Sequence, residues 1–375
     1  MHTVLAVPPR RAALFHVVLV GAAVAFSLSP ASARAADEAL TVFTESNAPG
    51  GNELLVFVQR DDGSLALRHS VSAHGLGSGG GLSNQGAVAL SPGASLIFAV
   101  NAASNTIASF RRAGEEIEFV AATPSGGQTP VSLTVRGNRL YVLNQGSDAI
   151  AGFRFRGDGS LEALPGSTQG LSGAGVVGAQ VSFSSGGDFL IATEKVGNQI
   201  GVFEVIDGVA QPGHFEPSFG AVPFGFAVDR RDRLVVSEAG GSAVTSYDLD
   251  TDTGRLSVIS GSVPTNQVAA CWVAETPDGR FAFTGNTGSG SVSAFSVDHA
   301  GRLGGLGSTV ISPTASTTDL ATSADNRLLF ALDDGVRTIN GFRIGADGSL
   351  QPLSVMAPLN LLRAATGLAI HRTID

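Results

Sequence analysis

The chain has 375 residues, with 49 glycines, 43% hydrophobic residues and only 15% charged ones. A helical protein of this size would need many more Lys, Glu and Gln on its outward faces, so the composition favours β-structure. The net charge of −9, with no run of Lys or Arg beyond the N-terminus, excludes nucleic acid and anionic membranes as main partners. Cys271 is the only cysteine, which excludes an internal disulfide and a thiolate metal cluster; it reads as a small buried apolar residue.

Residues 1–35 read as a signal peptide. Arg10 and Arg11 precede the apolar run Ala12 to Leu28, and Ala33-Arg34-Ala35 supplies a small-residue cleavage site. An exported protein, periplasmic or secreted, is expected, with no membrane span after cleavage. Residues 36–375 show no linker and read as one domain.

From there one unit repeats to the end. An acidic or glycine turn leading into an apolar strand occurs at Asp62-Gly63-Ser64-Leu65, Asp158-Gly159-Ser160-Leu161, Thr253-Gly254-Arg255-Leu256, Ala300-Gly301-Arg302-Leu303 and Asp347-Gly348-Ser349-Leu350. Weaker copies stand at Glu116-Ile117 and Asp207-Gly208-Val209. The six intervals from Leu65 to Leu350 average about 47 residues, the length of a four-stranded propeller blade. A second marker keeps the same phase: an aromatic closes one strand of each unit, at Phe57, Phe110, Phe153, Phe203, Tyr247, Phe295 and Phe342. The first unit begins at a second strand, Leu40 to Thr44, and the chain closes on Thr366 to His371, which reads as the missing inner strand. The expected fold is an all-β, seven-bladed β-propeller of four-stranded blades, its ring closed by the C-terminal strand.

Nine residues before the aromatic, six units carry a polar residue: Asn101, Asn144, Glu194, Glu238, Asn286 and Asp333. These fall in the turn after the second strand, which shares a face with the connections between blades. Those connections hold Gln85, Gln128, Gln180 and Gln267, with His74 and His214 in looser, solvated stretches. Lys195 is the one lysine in register. The functional reading is an axial funnel in which Glu194 and Glu238 act and Asn101, Asn144, Gln180, Asn286, Asp333 and Lys195 orient a ligand. The competing reading is that these side chains bond the next backbone amides and shape the turns. No hydrolase elbow, zinc or phosphate-loop motif occurs. No cofactor is expected, an axial calcium on three carboxylates being the alternative.

The segment Thr276-Pro-Asp-Gly-Arg-Phe-Ala-Phe-Thr-Gly-Asn286, then Ser289-Gly-Ser-Val-Ser-Ala-Phe295 and the Asp-Gly-Ser-Leu turns, resembles the lactonase family of seven-bladed propellers, which includes 6-phosphogluconolactonase-like and carboxymuconate-cyclising enzymes. The resemblance implies that Glu238, in Ser237-Glu238-Ala239, stands at the family's functional glutamate. Where it implies Pro-His, Pro-Arg-His and Arg, this chain has Gly178-Ala179-Gln180, Pro223-Phe224-Gly225 and Thr287. Two functions stay open. One is a monomeric lactonase-like hydrolase acting on a small neutral or sugar-derived lactone, with Glu238 activating water and Glu194 as its charged neighbour. The other is a non-catalytic propeller that binds a protein or glycan.

Overall fold

Short apolar runs separated by glycine-containing turns fold into strands because each run buries one or both faces against a neighbouring sheet. In a computed structural model, residues 1–3, 40–60, 62–114, 116–353, 357–358 and 364–372 are described. Glu38–Asp375 forms one compact unit. The leader expected over 1–35 lies, save its first three residues, outside the described residues.

Among the described residues there are seven antiparallel sheets of a four-strand plan, the outer strand being split in two in three of them, and in all but the first the strands follow sequence order from the axis outwards. Blade 5 is representative. Its inner strand is Pro223–Val228, its second Arg233–Glu238, its third Ala243–Leu249 and its outer strand Leu256–Pro264. Blade 1 takes its inner strand from the far end of the chain. Thr366–Arg372 pairs with Leu40–Glu45 in the register Leu40↔Arg372 and Val42↔Ile370, and the Thr44 hydroxyl donates to the Thr366 carbonyl at 3.2 Å. The expected closure is present, and it leaves blade 1 no unpaired inner edge.

The core lies between adjacent blades. The seven aromatics that mark the repeat are all 3% exposed or less. Phe57, for example, shares a cluster with Leu328, Phe330 and Ile339 of blade 7. Burying such a ring contributes about 1.5–3 kcal/mol, which explains why the repeat keeps one in every blade.

The Asp-Gly-Ser turns have an equally local cause. The Asp158 carboxylate accepts from the Ser160 amide (2.9 Å) and hydroxyl (2.7 Å), while Gly159 takes the left-handed conformation at φ +90°. Asp347, Gly348 and Ser349 repeat the arrangement.

One departure from regular pairing positions the site. In blades 1 and 3 to 7 the inner strand carries a β-bulge near its start, against the end of the second strand. A bulge inserts one extra residue and re-aims its side chain. Phe224, Cys271 and Thr318 occupy this position in blades 5, 6 and 7.

Candidate axial site

The polar residue marking the repeat is the last residue of the second strand in each blade, one step before the turn in which it was expected. Its side chain is not on the axis. Asn101, Asn144, Glu194, Glu238, Asn286 and Asp333 are all 0% exposed, and so is Glu45, the blade 1 counterpart. Glu45 escapes the nine-residue rule because it stands twelve residues before Phe57.

Each of these groups is held by a nearby loop or strand. Glu194 accepts from the Ser172 amide at 2.9 Å and from the Ser172 hydroxyl. Glu238 accepts from the Thr245 hydroxyl and from Ser262 Oγ at 2.6 Å. Asp333 takes the Ser316 and Val336 amides, and burial raises its pKa. Burial also raises that of Glu45, well above the usual carboxylate range. Asn101 bonds Asn52, Ala73 and Thr106; Asn144 donates to the Ser125 carbonyl and Asn286 to Ser291 and Ser293. The expected open funnel of carboxylates and amides is therefore replaced by buried posts under the loops. The next residue lies beyond the strand and opens the turn; in blades 4, 6 and 7 it is Lys195, Thr287 and Asp334.

Gln180 is likewise structural in its contacts. Its amide donates to the Phe226 carbonyl at 2.9 Å and accepts from the Phe226 amide at 2.7 Å, stapling blade 4 to blade 5. Gln85 forms the same pair with Val273, at 2.6 and 3.0 Å, but reaches across the ring from blade 2 to blade 6. Beside it the Trp272 indole donates to the Asn84 carbonyl at 2.6 Å. These two contacts plug the axis. Gly225 makes room for the plug, since a Cβ there would stand 2.0 Å from Gln85 Oε1.

At the loop mouth of this plug is a cavity of about 180 Å³, lined by Ser83, Asn84, Trp272, Thr287, Asp334 and Thr366 among others. Lys195, the only lysine of the chain, stands at its edge. Its ammonium donates to the Ser83 carbonyl and lies 5.0 Å from the centre of the Phe224 ring, which in turn meets Trp272 edge-on at 5.3 Å. Burial lowers the Lys195 pKa to about 8. Burial also pushes the Cys271 thiol up, against the opposing pull of a Thr287 hydrogen bond and of Lys195. Across the axis, Asp334 Oδ1 is buried and finds no hydrogen-bond partner among the described residues, an arrangement that costs free energy unless something else is bound there.

The site thus offers one cation, one under-used carboxylate, several hydroxyls and an aromatic wall. Sequence reasoning found Lys195 by its register. It missed Asp334 and the Trp272–Asn84 floor, and it set Cys271 aside as an apolar residue; Cys271 does lie in the apolar cluster of blade 6. His74 stacks on Phe119 at 4.2 Å and His214 belongs to an outer strand of blade 4, so neither joins the pit. Among the described residues no group of three or more His, Cys, Asp or Glu is placed to hold a metal ion, and the three carboxylates considered for calcium are occupied in separate blades. No helix among the described residues is long and apolar enough to cross a membrane.

Known proteins agree with this architecture. The solved structures it resembles include the periplasmic gluconolactonase of Pseudomonas aeruginosa, at 17% identity and a TM-score of 0.71, over 90% of this chain and 99% of that one. A candidate 6-phosphogluconolactonase of Bacteroides fragilis matches at 17% identity and 0.69, over 91% and 99%. The virginiamycin B lyase of Staphylococcus aureus matches at 13% and 0.55, over 77% and 91%. At these identities the likeness speaks for the fold alone. No curated protein matches the chain. Residues 51–177, 160–269 and 237–360 match the seven-bladed β-propeller family Lactonase, and together they span most of the sequence: the chain belongs to that family.

Proposed function

We propose that the chain binds a small, single-ring lactone in the axial pit and opens it by hydrolysis. The observation that carries this reading is the buried Asp334 Oδ1, unpartnered among the described residues, in a pit whose floor is closed and at whose edge the Lys195 ammonium rests on Ser83. At about 180 Å³ the cavity is below the roughly 300–1,000 Å³ of drug-sized sites, so one ring is what it can enclose.

In the proposed reaction, Asp334 accepts a proton from a water whose oxygen attacks the lactone carbonyl carbon. Lys195 holds the oxyanion that forms. The ring C–O bond then breaks, the leaving oxygen takes the proton back, and a hydroxy acid results, losing its acidic proton to solvent. Thr287 orients the ring over a floor of Asn84, Trp272 and Thr366, which bond one another. No metal or organic cofactor enters these steps. Glu238 and Glu194 are assigned to holding the blade ends beneath the pit rather than to the chemistry, because their oxygens are already bonded to Thr245 and Ser262 and to Ser172.

Membership of the Lactonase family supports the substrate class. The leader-like sequence over 1–35 and the likeness to a periplasmic gluconolactonase support a periplasmic location, and a monomer is the proposed working form. Proton release from a panel of lactones, followed with a pH indicator, tests the reading. Activity that falls at least a hundredfold in both Lys195→Met and Asp334→Asn, with folding intact, is expected. Full activity in either variant overturns the assigned roles. Silence of the parent chain across the panel, with ligand-induced thermal stabilisation, favours the non-catalytic binding propeller.

A further inference from the structure

The loop face around the pit is not uniform. In each blade the turn after the second strand leans on the connection that leads into that blade. Val196 donates to the Val176 carbonyl, Gly240 to Ala221 and Gly288 to Val268. These pairs occupy equivalent places in blades 4, 5 and 6, yet their side chains differ sharply. Val196 is 71% exposed and Val268 58%, while blade 5, between them, presents Ala221, Val222, Ala239, Gly240 and Gly241, with the hydroxyl of Ser242 taken up by the Ala269 amide. The result is a low apolar strip over blade 5 with a valine on each side. Towards its outer side stands Phe219, 58% exposed and laid over Gly261.

The strip is continuous with the pit. Ala239 and Ala269 pack against the cluster that contains Phe224, Cys271 and Trp272, and Val196 directly follows Lys195. Exposed valines and a phenylalanine are ordinary when scattered; a row that starts at a polar pit and carries no ionisable side chain is a different matter.

We infer that the ligand is amphiphilic: a lactone ring in the pit, carrying an aliphatic substituent that lies outwards along the strip over blade 5. This rests on the pit reading above and narrows its substrate class from single-ring lactones in general to alkyl- or acyl-substituted ones.

The test uses the full chain with γ-lactones of one ring size whose side chain grows from none to decyl, and with the matching 2-alkylcyclopentanones, which bind but cannot be hydrolysed. The expected result is a rise in kcat/KM of about two- to fourfold per methylene over the first several carbons, as expected for partial to full burial of each CH₂. In Val196→Ser/Val268→Ser the ratio of decyl to unsubstituted kcat/KM falls at least tenfold. Equal turnover along the whole series overturns the strip and leaves the pit reading standing. No turnover anywhere, with the ketones binding more tightly as the chain lengthens and the double variant erasing that trend, upholds the strip and overturns hydrolysis. Absence of any chain-length trend overturns the inference; if the parent also self-associates and the double variant does not, the strip is a contact between copies of the chain.

Discussion

Replacing Gly225 with alanine would act on the whole propeller through a single amide. The new methyl would stand 2.0 Å from Gln85 Oε1 and 2.7 Å from the Cys271 carbonyl oxygen, both far inside van der Waals contact. Gln85 is the flexible partner and leaves the axis first. Two hydrogen bonds to Val273 are then lost, and the Val273 amide and carbonyl, in a residue 2% exposed, remain without partners. At about 1–3 kcal/mol for each buried group left unsatisfied, the two together cost about 2–6 kcal/mol. That is a large share of the roughly 5–15 kcal/mol by which a domain is stable. Urea unfolding of Gly225→Ala, Gln85→Ala and the double variant reads it directly. The clash with the Cys271 carbonyl persists when Gln85 is gone, so the double variant is worse than Gln85→Ala alone, but if part of the damage passes through Gln85 the two changes couple by about 2 kcal/mol or more. Gly225→Ala within about 0.5 kcal/mol of the parent, or two costs that simply add, would refute the plugged axis.

Three further outcomes follow from the site. Hydrolysis should weaken as pH rises through about 8, because Lys195 loses its proton there and with it the charge that holds the oxyanion; Lys195→Arg should extend activity to higher pH, and an unchanged profile would remove Lys195 from the reaction. Glu238→Gln should cost about 1–2 kcal/mol by weakening its bonds to Thr245 and Ser262, with kcat per folded molecule retained; a dead but stable variant would return Glu238 to the chemistry. Asp319, wholly buried and bonded to the Leu320 and Leu368 amides, has its pKa raised by that burial to about 7. The unfolded chain releases this proton near pH 4 and the folded one near 7, so stability is greatest below the first value and declines towards the second, by on the order of 3–4 kcal/mol. Thermal melts between pH 4 and 8 should show that decline and lose most of it in Asp319→Asn.

The ring was legible because its cause repeats. An aromatic between every pair of sheets and an Asp-Gly-Ser turn outside them recur in one phase, and Leu40 without an inner strand pointed to Thr366 as its completion. The pit was less legible for reasons that are local and geometric. The side chain that recurs at the end of each second strand does so because it ties neighbouring loops and strands together and is buried in doing so; the group at the pit is its less regular neighbour in the turn, Lys195 in one blade and Asp334 in another. Nothing in the spelling of Ala270-Cys271-Trp272 announces a bulge. The Gln85–Val273 bond joins residues of opposite blades, so it has no local pattern to read. Glu45 was overlooked simply because its turn is three residues longer than the others.

The clasp between Leu40–Glu45 and Thr366–Arg372 also has a kinetic meaning. Thr44 and Thr366 meet across 322 residues of sequence, so the first blade can be finished only after every other blade has been laid down. Assembly therefore ends with one slow, long-range docking event, and reversing that event is the easiest way to begin taking the molecule apart.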